Sequence, residues 1–273
     1  MAALDPADIE KDTGTGIEAG GTADTEAGGA AGRDPVTDPR NYKTRLLMGD
    51  EALGRLSRST VMVIGLGGVG GSCAAALARG AVGRLVLVDG DSFSETNLNR
   101  QEFAYQGTVD RPKALVARSI VQEINPYVEV ESVVRRIEPD DVPALLARRP
   151  DYVVDAQDTV STKLALAAFC EREGIPLVSS MGTGNKLHPE LFEIADIYET
   201  SVCPLCKAVR KQARAMGIAR MTVLYSKEPP RRPYEIVDGP EGENPRVGTV
   251  SFVPPVAGLM LAGHAIRALA GLD

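Results

Sequence analysis

An α/β chain with a mostly parallel, doubly wound sheet is predicted by three observations. Apolar runs of strand length recur at Val61–Ile64, Leu85–Val88, Tyr152–Val154 and Ile175–Ser179. Stretches of helical periodicity separate them, at the spacing of β–α–β units. The first run enters a glycine-rich turn, Gly65-Leu66-Gly67-Gly68-Val69-Gly70, which leads into a small-residue helix from Gly71 to Arg79. The chain therefore reads as Rossmann-like, with an elaborated C-terminal half beyond residue 186.

The elements follow in order. Gly49 to Ser59 reads as a lead-in helix with Leu53 and Leu56 facing inward. After the strand–turn–helix–strand unit of residues 60–89, a polar segment from Gly90 to Thr108 leads to a helix from Asp110 to Ile124. Asp110 is placed as its N-cap and Pro112 in its first turn. Val128 to Val134 alternates like a strand, Asp140 to Arg148 reads as helical, and Tyr152 to Asp155 is a buried strand. A helix from Thr159 to Arg172 and the strand from Ile175 to Ser179 complete the regular part. Beyond it, Leu191 to Ile197 is extended, Pro204 to Met216 helical, and Met221 to Tyr225 a strand. Glu228 to Gly248, with five prolines, is a loop. Thr249 to Val253 and a helix after Val256 close the fold. Phe252 to Leu269 is interrupted by Pro254, Pro255, His264 and Arg267; it reads as too short and too polar to span a bilayer.

The net charge of −7 is concentrated at one end. Residues 1–39 hold nine acids against Lys11 and Arg33, and the remaining 234 residues balance 28 acids with 28 bases. This tail has almost no large apolar side chain, so it cannot offset its ordering entropy and is expected to be disordered. Residues 40–273 are expected to form a single domain. The tail lacks a basic start followed by an apolar run, which argues against a secretory signal. Four cysteines then point to reduced thiols and a cytoplasmic setting.

The glycine turn points to a nucleotide. Glycines let backbone approach a phosphate, whose charge is met by unpaired N–H groups at the helix start. Asp89, nineteen residues past Gly70, ends the second strand and is placed to accept hydrogen bonds from a ribose. A nicotinamide-dependent dehydrogenase would show the same two features. Arg100 and Lys113 decide between them. Hydride transfer has no use for two cations here, whereas attack of a carboxylate on the α-phosphate of ATP brings two anions together and needs them. Asn97 can donate to phosphate or ribose oxygens. Asp158, just past the strand ending at Asp155, suits a magnesium ion bridging phosphates or a helix N-cap.

Taken together, Gly65-x-Gly67-Gly68-x-Gly70, Asp89-x-Asp91, Asn97-x-x-Arg100-Gln101, Lys113 and Asp155-x-x-Asp158 resemble the adenylation core shared by ThiF, MoeB and the ubiquitin-activating enzymes. The resemblance implies that the glycine turn and Asp89 hold ATP, that Arg100 and Lys113 contact its phosphates, and that Asp158 supports Mg2+. Arg45 resembles an arginine that reaches across a homodimer to the partner's ATP. Ser179 to Lys186, Asp196 to Leu205, Val223 to Glu228 and Gly248 to Gly258 resemble one branch, the tRNA threonylcarbamoyladenosine dehydratases. That likeness spans roughly residues 40–271. It implies ATP-driven cyclisation of the modified adenosine beside the anticodon of a tRNA.

Relatives of the ThiF and MoeB type use two C-x-x-C pairs for zinc. Here only Cys203-Pro204-Leu205-Cys206 is present, and a tetrahedral site wants four ligands, so no zinc is expected. Cys73 and Cys170 read as small buried side chains. Residues 207–232 hold eight bases and one acid. Lys207, Arg210, Lys211 and Arg214 fall at helical spacing on one face, a candidate surface for the tRNA backbone. DNA and an integral membrane are not expected partners. His188 and His264 are assigned no catalytic role. Three further readings stay open: an activator of a ubiquitin-like or sulfur-carrier protein, a nicotinamide-dependent dehydrogenase, and a non-catalytic ATP-binding partner of a cysteine desulfurase.

Overall fold

The computed structural model describes residues 34–236, 239–240, 244 and 246–272. Most of the acidic tail expected over residues 1–39 thus lies outside the described residues. Within them, Asp38 is buried, and its carboxylate caps a 3-10 turn at Pro39–Asn41 by accepting from the Arg40 N–H.

Alternation of side chains along each strand builds the core. Strand β1 (Thr60–Ile64) sends Val61 and Val63 to one face and Met62 and Ile64 to the other; β2 (Arg84–Val88) divides Leu85 and Leu87 from Val86 and Val88 in the same way. Helices cover both faces, as burial of an all-apolar strand requires. On the first lie α1 (Tyr42–Leu56), α2 (Gly68–Arg79), α3 (Lys113–Ile124) and α7 (Val253–Ala270). On the second lie α4 (Val142–Leu146) and α5 (Val160–Glu173). Leu53 and Leu56 face inward as expected, both fully buried.

The remaining strands are β3 (Glu129–Val133), β4 (Tyr152–Asp155), β5 (Leu177–Ser180), β6 (Phe192–Asp196) and β7 (Thr222–Ser226), with α6 (Pro204–Ala215) between the last two. The sheet order is β3-β2-β1-β4-β5-β7-β6, parallel throughout except for the antiparallel β6–β7 pair. The chain winds outward from β1 through β2 to β3, then returns to place β4 on the other side of β1. Ligands of open α/β sheets bind outside the strand ends at such a reversal. The elaborated C-terminal half supplies β6, β7, α6 and α7.

Several boundaries differ from expectation, each for a local reason. Helix α3 starts at Lys113, not Asp110. Asp110 is left-handed (φ 65°), and the residue before Pro112 is disfavoured from helical geometry, so the first helical residue is Lys113. The lead-in helix begins earlier, at Tyr42, and breaks at Gly49, where φ 81° and ψ 173° leave helical space. The closing helix, expected after Val256, begins at Val253.

The closing helix needs a larger correction. Val253–Ala270 has 18 residues and a mean hydropathy of 1.3, long and apolar enough by length and composition to cross a membrane. Its prolines sit in the first turn, where no N–H is missed, so they do not interrupt it. It is nevertheless a core helix by its contacts. A Cβ at Gly258 would stand 2.2 Å from the Val69 carbonyl oxygen, so α7 lies directly on α2.

Candidate functional site

A cleft of ≈ 460 Å³ opens at the C-terminal ends of β1, β4 and β5. Its floor is the glycine turn. Gly65 has φ 88°, and a Cβ there would meet the Gln157 amide nitrogen at 2.8 Å, so the β1 turn lies against the loop after β4. At Gly70 a Cβ would come within 1.7 Å of the Gly65 carbonyl oxygen; this glycine lets α2 fold back on the strand and does not line the cleft. Gly67 and Gly68 do line it. Gly67 is the N-cap of α2 and has no side-chain cap, so the opening N–H groups of the helix are available to an anion.

Asp89 is 9% exposed and fastens this turn. Its Oδ2 accepts the Leu66 N–H at 2.6 Å and its Oδ1 the Asp91 N–H at 2.8 Å. A carboxylate has about four lone-pair sites, so both oxygens retain capacity for a ribose hydroxyl. Lys113, 7% exposed, brings its Nζ to 3.5 Å from Asp91 Oδ2. Arg136 reaches the other oxygen of Asp91 at 3.3 Å. The sequence reading missed Arg135 and Arg136, which also line the cleft; they follow β3 without any glycine or charge pattern to mark them.

Arg100 and Gln101 form the adjoining wall. The Arg100 Nη1 donates to the Thr96 carbonyl at 2.9 Å and to Asn99 Oδ1 at 2.8 Å, which holds the guanidinium beside the turn. Gln101 is 8% exposed, and its Oε1 finds no donor among the described residues. Such an orphaned buried acceptor suits an N–H or O–H of a ligand. Asp158 stands exposed at the mouth. It is not the cap of α5, because that N-cap is Thr159.

Besides Gly70, two expected residues lie elsewhere. The Asn97 carboxamide turns inward, its Oδ1 accepting the Ser94 N–H at 3.3 Å to close a local turn, and it does not line the cleft. A short polar side chain satisfied by its own backbone is the ordinary outcome in such a turn. Arg45 pairs with Asp50 at 2.6 Å on the exposed first half of α1, beside Leu46 and Leu47, and does not line this chain's cleft.

Beneath the cleft lies a charged group that the sequence did not mark. Lys163 is wholly buried and donates to Asp155 Oδ2 at 3.0 Å, Ser179 Oγ at 3.2 Å and the Ser180 carbonyl at 2.8 Å. An ammonium has three donors, so all are used within the protein. The group ties the end of β4 to the end of β5 and steadies the loop carrying Asp158.

The expected basic face divides. Lys207 and Lys211 are exposed on α6. The Arg210 Nη1 is drawn inward, donating to the Thr200 carbonyl at 2.8 Å and Thr200 Oγ1 at 2.6 Å, while the Arg214 guanidinium lies 5.2 Å from the Tyr198 ring centre. Arg210 also reaches the Ile197 carbonyl at 3.3 Å, so its side chain fastens α6 to the turn before it.

At the start of α6 the Cys203 and Cys206 side chains hydrogen-bond to each other. That bond, with the Cys206 and Leu205 amides and the charge of Lys186, lowers the Cys203 thiol from 9.0 to about 6, while Cys206 is pushed up. A depressed folded value contributes stability that is fully present above the unfolded value and is lost as pH falls through the folded one. The stability lost on Cys203→Ala is therefore expected to grow between pH about 6 and 9.0, measured by urea unfolding across that range. A flat difference would contradict the assignment.

The ThiF family pattern matches residues 40–273. A tRNA threonylcarbamoyladenosine dehydratase of Bacillus subtilis (strain 168) is 39% identical over 236 residues, covering 83% of this chain and 93% of that protein. The SAMP-activating enzyme E1 of Haloferax volcanii is 41% identical over 146 residues, 52% of this chain and 54% of its own. Among solved structures, E. coli tRNA N6-threonylcarbamoyladenosine dehydratase, TcdA, in complex with ATP superposes with a TM-score of 0.77 at 30% identity, covering 85% of this chain and 94% of that one.

Proposed function

Because the chain belongs to the ThiF family, we propose that it uses ATP to cyclise N6-threonylcarbamoyladenosine in tRNA, with net loss of water. The observation that carries this reading is that the glycine turn, Lys113, Arg100 and Asp158 all open on one cleft, in a chain 39% identical to a tRNA threonylcarbamoyladenosine dehydratase along 93% of that protein.

In this reading the phosphates lie over the first N–H groups of α2, with Asp89 toward the ribose. The threonyl carboxylate attacks the α-phosphate and pyrophosphate departs. Lys113 and Arg100 stabilise the charge that gathers on the phosphoryl oxygens. The Asp158 carboxylate is the group that would hold Mg2+, which neutralises phosphate charge when bound. The activated carboxyl carbon then meets the neighbouring ureido nitrogen, which closes the ring, gives up its proton and releases the nucleotide. Closure is intramolecular, so proximity supplies much of its rate. No protein nucleophile is required.

Lys207 and Lys211, with the arginines of the 227–232 loop, offer positive charge for the tRNA backbone. The exposed Leu46 and Leu47 beside Arg45 suit a second copy of the chain, through which Arg45 would reach the partner's cleft. The free thiols suit a reducing cytoplasm.

The test supplies ATP with tRNA carrying the modified adenosine, in parallel with a sulfur-carrier protein and with NAD. Mass spectrometry of tRNA nucleosides should show conversion to a product lighter by one water. ATP consumption driven only by the carrier protein would replace this reading with the activating-enzyme one.

A further inference from the structure

Asn185 adopts φ 60°, a left-handed conformation that asparagine tolerates better than most residues. Each of its four polar groups is bonded. Its N–H donates to the Gly248 carbonyl at 2.8 Å, its Nδ2 to the Arg246 carbonyl at 2.9 Å, and its Oδ1 accepts the Gly248 N–H at 2.8 Å. Its carbonyl accepts the Arg231 N–H at 2.8 Å. Three of these four bonds hold a single short segment, residues 246–248.

The next residue of that segment is fastened from the opposite wall. Asn99, beside Arg100, donates its Nδ2 to the Thr249 carbonyl at 3.2 Å. Residues 246–249 are thus tied on one side to the loop after β5 and on the other to the wall that carries Arg100. Val247 and Thr249 line the cleft, and so do Met181 and Leu205. The segment lies close: a Cβ at Gly184 would stand 2.6 Å from Val247 Cγ1.

We infer that Asn185 is a positioning residue, tying residues 246–249 across the cleft as the wall on which the threonyl end of the substrate nucleoside seats. This rests on the activity proposed above. With the phosphates at the glycine turn and the reacting carboxylate next to Arg100, the amino-acid side chain projects toward the remaining wall. That wall offers apolar atoms of Val247, Met181 and Leu205 for a methyl group and the Thr183 and Thr249 hydroxyls for an alcohol. Asn185 touches none of the reacting atoms. It acts through the segment it holds.

Asn185→Gly isolates the side-chain tie, because glycine keeps the positive φ without strain. With two side-chain hydrogen bonds lost, KM for the modified tRNA is expected to rise about tenfold. ATP affinity, measured by calorimetry without tRNA, should stay at the wild-type value. Asn185→Asp keeps the acceptor for Gly248 but sets a carboxylate oxygen against the Arg246 carbonyl, so its KM should rise at least as much as that of the glycine variant. If ATP affinity drops by the same factor as tRNA affinity, the role is merely structural and the inference fails. It also fails if the glycine variant matches the wild-type KM. Absence of tRNA conversion by the wild-type protein would instead overturn the parent activity.

Discussion

Alanine at Lys113 is expected to lower turnover by roughly 10²–10³-fold, the range seen when one preorganised donor to developing charge is removed. The effect on folding should be small by comparison. Asp91 keeps Arg136 as a partner at 3.3 Å, so no buried anion is left uncompensated. What disappears is the cation that α3 presents from its first residue, 7% exposed and beside the glycine turn. Steady-state kcat with ATP and modified tRNA, together with a thermal melt, checks both halves. Turnover near that of the wild type, in a folded variant, would remove Lys113 from the proposed chemistry. Arg100→Ala is open to the same comparison.

The largest stability effect is expected at Lys163. Replacing it with methionine leaves the Asp155 carboxylate fully buried with only Ser179 and a long 3.4 Å contact from the Gln157 N–H. Breaking a buried pair from one side typically costs about 3–5 kcal/mol. Removing both charges, as Lys163→Met with Asp155→Leu, should recover much of that loss, because two desolvation penalties vanish together. Urea unfolding of the single and double variants measures the difference. A single variant as stable as the wild type would mean that the Asp155 carboxyl needs no cation beside it, and the double variant reads whether the pair merely breaks even with an apolar substitute.

The parts of the site written in contiguous residues were legible in the sequence. Gly65, Asp89 and Asp158 each follow closely on a strand end, and Arg100 and Lys113 fall in the connection after β2, so their order already places them on one edge. Lys163 was passed over because a lysine in a helix normally reads as a solvated charge, although it shares the buried face of α5 with Leu166, Ala167 and Cys170. Arg136 and Asn185 depend likewise on which loops meet in space. Asn97 shows the opposite error. Its type fitted phosphate, but its own turn offered a nearer partner. The strand-by-strand fold was legible because short apolar runs bounded by turns are a local pattern, whereas the antiparallel pairing of β6 with β7 is set by tertiary contacts.

The two hydrogen bonds that Asp89 accepts from the Leu66 and Asp91 amides carry one more consequence. The bond to Leu66 ties the end of β1 to the end of β2, so the chain itself fixes the contour of the turn. Little ordering entropy is then spent on encounter, and more of the interaction energy is expressed as affinity. Nucleotide capture should accordingly be fast and leave the backbone almost unmoved. The slower adjustments of a catalytic cycle would then fall to whatever follows it.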